Sequence, residues 1–216
     1  FLYLIQIFIE KNWKTKEKNY RKKIDYKFQK NFLNALPFEL TNEQKKVISE
    51  LNAQYETNHL INRLIQGDVG SGKTVVAIAI VLNYIEAGYQ AAFMAPTEIL
   101  ARQHFSKFKP ILNELGVKAD IISSSTTKKE KDSIINRCGN GDIDVLFGTH
   151  SLIQDNVVFK ELKLVLIDEQ QKFGVEQRIK LRSKGESVDL IVLSATPIPR
   201  SFSLTLYGDL DISTIN

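Results

Sequence analysis

The chain has 216 residues, enough for one sizeable α/β core or a core with an appendage, and its 43% apolar and 25% charged content is ordinary for a globular protein. Its single cysteine, Cys138, excludes an internal disulfide and fits a reducing compartment such as the cytoplasm. The net charge of +4 is mild but uneven: residues 11–30 are dense in Lys and Arg, opposed only by Glu17 and Asp25.

The opening run FLYLIQIFI lacks an initiator methionine. It is shorter than the roughly 20 apolar residues that span a bilayer, and it lacks the basic flank and small-residue cleavage site of a signal peptide. It reads as the edge of a larger polypeptide, as does the abrupt end in DLDISTIN. Residues 1–35 form a basic lead-in or linker with no assignable chemistry. A surface for nucleic acid and a plain solvated helix or linker are the two readings of its charge.

From Leu36 the pattern changes. In LPFELTNEQKKVISEL, Thr41 is a good N-cap and Gln44 completes the capping-box spacing. Apolar runs then alternate with helical segments, the rhythm of a parallel sheet. The expected strands are 63–66, 91–95, 119–123, 144–148, 164–168 and 190–194. The expected helices are 73–87, 98–115, 127–138 and 175–184. The fold class that follows is α/β over residues 36–216, with a mostly parallel sheet and helices on both faces. Ligands of such sheets gather at the carboxyl ends of the strands.

The stretch LIQGDVGSGKTVVA carries the strongest chemistry. Gly67, Asp68, Val69, Gly70, Ser71, Gly72, Lys73 and Thr74 fit G-x-x-x-x-G-K-[ST] between an apolar run and a helix former. Glycines let backbone N–H groups curl toward a phosphate, Lys73 supplies a compact charge for the β and γ phosphates, and the Thr74 hydroxyl suits Mg²⁺. The helix start adds its dipole and N–H groups. A glycine turn with no ligand is the plain alternative.

A second cluster, LKLVLIDEQQ, ends a buried strand in two acids. Asp168 is suited to the metal ion that bridges nucleotide phosphates, and Glu169 to orienting or deprotonating the attacking water. Solvated acids at a strand end are the alternative. His104 and His150 sit in no metal-ligand spacing, so packing or ordinary hydrogen bonding is expected of both.

Consecutive blocks, LPFELTNEQ, RLIQGDVGSGKT, MAPTEILARQHF, FGTHSLIQD, LVLIDEQQKFGVEQR, SATPIPRSF and YGDLDIS, resemble the superfamily 2 helicases, most nearly the RecG family of bacterial branched-DNA helicases. The resemblance runs from about Leu36 to the end. It implies the first RecA-like motor lobe of an ATP-dependent DNA helicase of recombination and repair, with ATP and Mg²⁺ as cofactors and DNA as partner. It further implies Gln44 as the adenine reader and Phe38 as the residue packing on the base, set against a cap and a hydrophobic staple as their bland roles. Pro96, Thr97, Gly148, Thr149 and His150 become candidate contacts to a DNA backbone. Gln171, Ser194 and Thr196 become candidates for coupling nucleotide to DNA.

The same blocks are similar to the Mfd translocases, which stay an alternative, as does a remnant that binds nucleotide or DNA without turnover. Two positions depart from the RecG pattern: Gln171 stands for a usual histidine and Lys172 for a usual arginine. Such motors hold ATP between two lobes, and arginines of the second are worth roughly 10³ to 10⁵ in turnover. The expectation is therefore a lobe that binds Mg²⁺-ATP weakly by itself, hydrolyses it slowly and does not unwind DNA without a second lobe in cis or trans. No membrane partner is expected.

Overall fold

Strands that are apolar on both faces must be covered on both faces, and the chain does this by alternating each with a helix. The computed structural model describes residues 21–57, 59–168, 175–195 and 210–215. In chain order these form α1 (Lys27–Asn34), α2 (Asn42–Tyr55), β1 (Asn62–Gln66), α3 (Lys73–Glu86), β2 (Gln90–Met94), α4 (Glu98–Glu114), β3 (Ala119–Ile122) and α5 (Lys128–Asn140). There follow β4 (Val145–Gly148), a short 3₁₀ turn (His150–Ile153), β5 (Leu162–Asp168), α6 (Val175–Arg182), β6 (Asp189–Ser194) and β7 (Asp211–Thr214).

The seven strands make one sheet in the order β3-β4-β2-β5-β6-β1-β7, and every neighbouring pair is parallel. This is the RecA-like P-loop α/β fold expected above. Side chains alternate between faces as the pleat requires. Ile65, Phe93, Phe147, Leu166 and Leu193 pack with Val76, Ile80, Phe108 and Leu112 of α3 and α4. Leu64, Met94, Leu146, Ile167 and Val192 pack on the opposite face with Ile134, Cys138 and Leu181 of α5 and α6. Helix α3 is buried nearly all round, so its glycine-bounded N-terminus is held rigidly against the sheet.

The expected elements all occur, with shifts of one or two residues at most ends. β3 stops at Ile122 because Ser123 turns the chain: its N–H donates to Thr126 Oγ1 at 3.0 Å and its carbonyl accepts from Thr126 N. Thr127 caps α5 in a box with Glu130, and Gly141 in the left-handed region ends that helix two residues later than expected.

Three features depart from the sequence-based picture. β7 was not foreseen; it pairs with β1 from far along the chain, Leu64 level with Ile212. Lys27 and Lys30 of α1 are exposed, as a solvated charged face requires, but the other side of the helix packs on the core: Phe32 is fully buried and Gln29 donates to the Ala79 carbonyl at 3.0 Å. Burying one such aromatic contributes about 2–3 kcal/mol. Arg21 is also anchored, donating to the Gln54 carbonyl and pairing with the wholly buried Asp189 at 2.6 Å. No helix among the described residues is long and apolar enough to cross a membrane.

Candidate functional site

Register sets the site. Ile65 of β1 and Asp168 of β5 both stand level with Leu193 of β6, so the aspartate lies two strand spacings, about 10 Å, from β1 on the carboxyl edge of the sheet. The loop from Gly67 to Gly72 leaves β1 at that edge and feeds directly into α3. Its first residue is pinned: Gly67 N donates to the Ser194 carbonyl at 3.2 Å. A Cβ at Gly67 would collide with the carbonyl of Ile215, the residue after β7, so the chain leaving β7 closes one side of the loop and only glycine fits there.

Gly72 adopts φ 84°, and a Cβ there would strike Gln44 Nε2. Gln44 therefore has two tasks. Its Oε1 accepts from Thr41 N at 2.9 Å to complete the capping box of α2, and its Nε2 donates to the Ser71 carbonyl at 2.8 Å. The cap expected of it is observed, and it also ties α2 to the loop. Phe38 is 48% exposed and lines a depression of about 520 Å³ with Leu33, Leu36, Pro37, Leu40 and Lys45.

Lys73, at the first position of α3, is only 7% exposed. Its Nζ donates to the carbonyls of Gly67 and Asp68 at 2.7 and 2.6 Å, which brings the ammonium across the mouth of the loop. The half-buried Thr74 follows at the helix start, and Ser71 Oγ is buried with no hydrogen-bond partner among the described residues. Such an orphaned hydroxyl inside a positively biased loop is a donor without an acceptor. Val69 is 89% exposed at the tip.

Asp168 is 8% exposed as the last residue of β5, and its Oδ2 accepts from His104 Nε2 at 2.7 Å. The hydrogen bond expected in general terms for His104 is thus made to the strand-end carboxylate. The signal was in the spacing. His104 lies three residues after Ala101 and four before Phe108, both core residues of α4, so its imidazole belongs to the buried stripe. Ser194 is fully buried at the end of β6, between the strands of the loop and of Asp168. Glu169, Gln171 and Thr196 lie outside the described residues.

The candidate DNA contacts form a second group on the same edge. Pro96 and Thr97 follow β2, Gly148 ends its neighbour β4 and Thr149 and His150 follow it, with Ala95 N donating to the Gly148 carbonyl at 2.9 Å. Thr97 is exposed and caps α4 through Leu100 N, while His150 is exposed and opens the 3₁₀ turn. Sequence reasoning passed over the hydroxyl-rich loop after β3, which completes this row. Ser123 and Ser125 receive hydrogen bonds from Arg102 Nη2 at 3.3 and 2.6 Å, and Ser124 and Ser125 donate to Glu98. Those serines and Arg102 hold the Glu98 carboxyl down to about 2. The cue was the run of five hydroxyl residues in SSSTT at a strand end.

Cys138 is buried and its thiol is pushed up to about 12 by burial, which leaves it a packing residue. Among the described residues no cluster of His, Cys, Asp and Glu could hold a metal ion through three protein ligands.

The chain is 47% identical over its full length to the ATP-dependent DNA helicase RecG of Thermotoga maritima and 46% identical to that of Aquifex aeolicus, spanning 28% of the length of each. A solved structure of RecG bound to a three-way DNA junction superposes with a TM-score of 0.84 at 44% identity, over 100% of this chain and 29% of that one. Residues 41–204, from the cap of α2 to beyond β6, match the DEAD/DEAH box helicase family. The chain, with its phosphate-type loop and strand-end aspartate on one parallel sheet edge, belongs to the DEAD/DEAH box helicase family.

Proposed function

We propose that the chain is the ATP-binding motor lobe of a RecG-like DNA helicase that acts on branched DNA in recombination and repair, in the cytoplasm. The observation that carries this is the placement of Lys73, Thr74 and Asp168 around the carboxyl ends of β1, β6 and β5. Ser71 Oγ and the N–H groups of the helix start supply donors for phosphate oxygens, and Lys73 neutralises their charge. The Thr74 hydroxyl at the start of α3 and the Asp168 carboxylate at the end of β5 are hard oxygen donors at the same edge of the sheet, the donor type that Mg²⁺ takes together with part of its water shell. When bound, Mg²⁺ would draw charge from the β and γ phosphates. Glu169, next along the chain, is assigned to orient and deprotonate the attacking water. Gln44 and Phe38 are assigned to the adenine.

Pro96, Thr97, Gly148, Thr149 and His150 are assigned to the DNA backbone, where contacts carry no sequence information and suit a motor that steps along any sequence. Gln171, Ser194 and Thr196 are assigned to relaying nucleotide state to that row. A second RecA-like lobe, in cis or trans, completes the ATP site.

The test is ATP hydrolysis with Mg²⁺ and branched DNA, by this chain alone and with a RecG second lobe added. Slow turnover alone, DNA-stimulated turnover with the added lobe, and loss of both in K73A and E169Q are expected. Turnover that survives K73A and E169Q refutes the assignment.

A further inference from the structure

The geometry points to His104 as the positioning residue of the metal-binding carboxylate: it holds Asp168 Oδ2 so that Oδ1 faces the cation. This rests on the reading of Asp168 as a Mg²⁺ ligand. An ionised carboxylate has no proton to give, so the 2.7 Å contact is a donation from the Nε2–H of His104. The imidazole is itself fixed. Its ring lies 5.0 Å from the ring of Phe93 on β2, it is only 14% exposed, and its helix is locked by Ala101, Phe108 and Leu112. β2 and β5 are neighbours, Met94 level with Ile167, so one side chain joins a helix and two strands at the end of β5.

A strand-end carboxylate would otherwise rotate among several orientations. Partners that orient a ligand in this way are worth about 10- to 100-fold in metal affinity. His104 is thus absent from the first set of ligands yet decides how well Asp168 serves in it.

The test uses the full 216-residue chain and a fluorescent, non-hydrolysable ATP analogue, titrated once in Mg²⁺ and once in EDTA. The ratio of the two affinities is the metal enhancement. D168N should abolish it, which checks the underlying reading. H104A and H104F should lower it roughly tenfold, and H104Q, whose carboxamide restores an N–H near the position of Nε2, should recover most of it. H104F keeps a ring against Phe93, so it separates donation from packing. A normal enhancement in H104F, with D168N defective, overturns the role of His104 and leaves the metal reading standing. A normal enhancement in D168N overturns both.

Discussion

The Gln44 carboxamide spans two elements, accepting from Thr41 N at 2.9 Å and donating to the Ser71 carbonyl at 2.8 Å. A helix cap and the glycine-rich loop are thereby one unit, and the side chain that caps α2 also touches the loop proposed to hold the nucleotide. Q44A should cost about 1–2 kcal/mol of stability through the lost bonds. It should also weaken ATP binding and reduce the preference for ATP over GTP, read from unfolding midpoints and competitive nucleotide titrations. An unchanged preference would confine Gln44 to the cap and the loop.

Lys73 bonds to two loop carbonyls and faces the proposed phosphates. Charge-assisted hydrogen bonds contribute about 1.5–3 kcal/mol each, so K73A should weaken nucleotide binding by roughly 10- to 100-fold. Because the buried ammonium also ties down the loop, K73A should lower the thermal midpoint slightly, whereas K73R should keep the charge and still bind poorly. Fluorescence titration beside thermal unfolding separates the two effects.

Gly72 carries both a positive φ and a close approach to Gln44. G72A adds about 1–2 kcal/mol of backbone strain and pushes the carboxamide away from Ser71. The expected outcome is loss of measurable nucleotide binding in a chain whose circular dichroism is unchanged. G116A, with a comparable φ of 75° but open space around its Cβ, should leave binding intact.

Asp189, the first residue of β6, is wholly buried, accepting from Ile61 N at 2.6 Å and from the Tyr84 hydroxyl, and paired with Arg21. Burial raises its carboxyl from 3.8 to about 6, and Arg21 is the strongest influence in the other direction. A raised value means the folded chain binds the proton more tightly than the unfolded one. The stability this contributes is fully present below about pH 4 and is lost as pH rises through about 6. R21A raises the carboxyl further and leaves a buried carboxylate without its guanidinium, so it should cost on the order of 3 kcal/mol at pH 7.5 and less at pH 5. Urea unfolding at the two pH values measures the difference; equal losses would mean that Arg21 acts through packing on Tyr55 instead.

Local chemistry by itself determined the phosphate-type loop, the strand ending in Asp168, the cap at Thr41, and the alternation that demands a parallel sheet. Each depends on residues within a few positions of one another, where backbone geometry leaves few choices. The lateral order of the strands, the arrival of β7 beside β1, the burial of α1 and the anchoring of Arg21 on Asp189 were decided only in the folded molecule. So were the reach of His104 to Asp168 and of Gln44 to Ser71. These are contacts between segments far apart in the chain, and they follow from how helices rotate to bury their apolar stripes against a shared sheet, a collective packing result that no short stretch of sequence encodes.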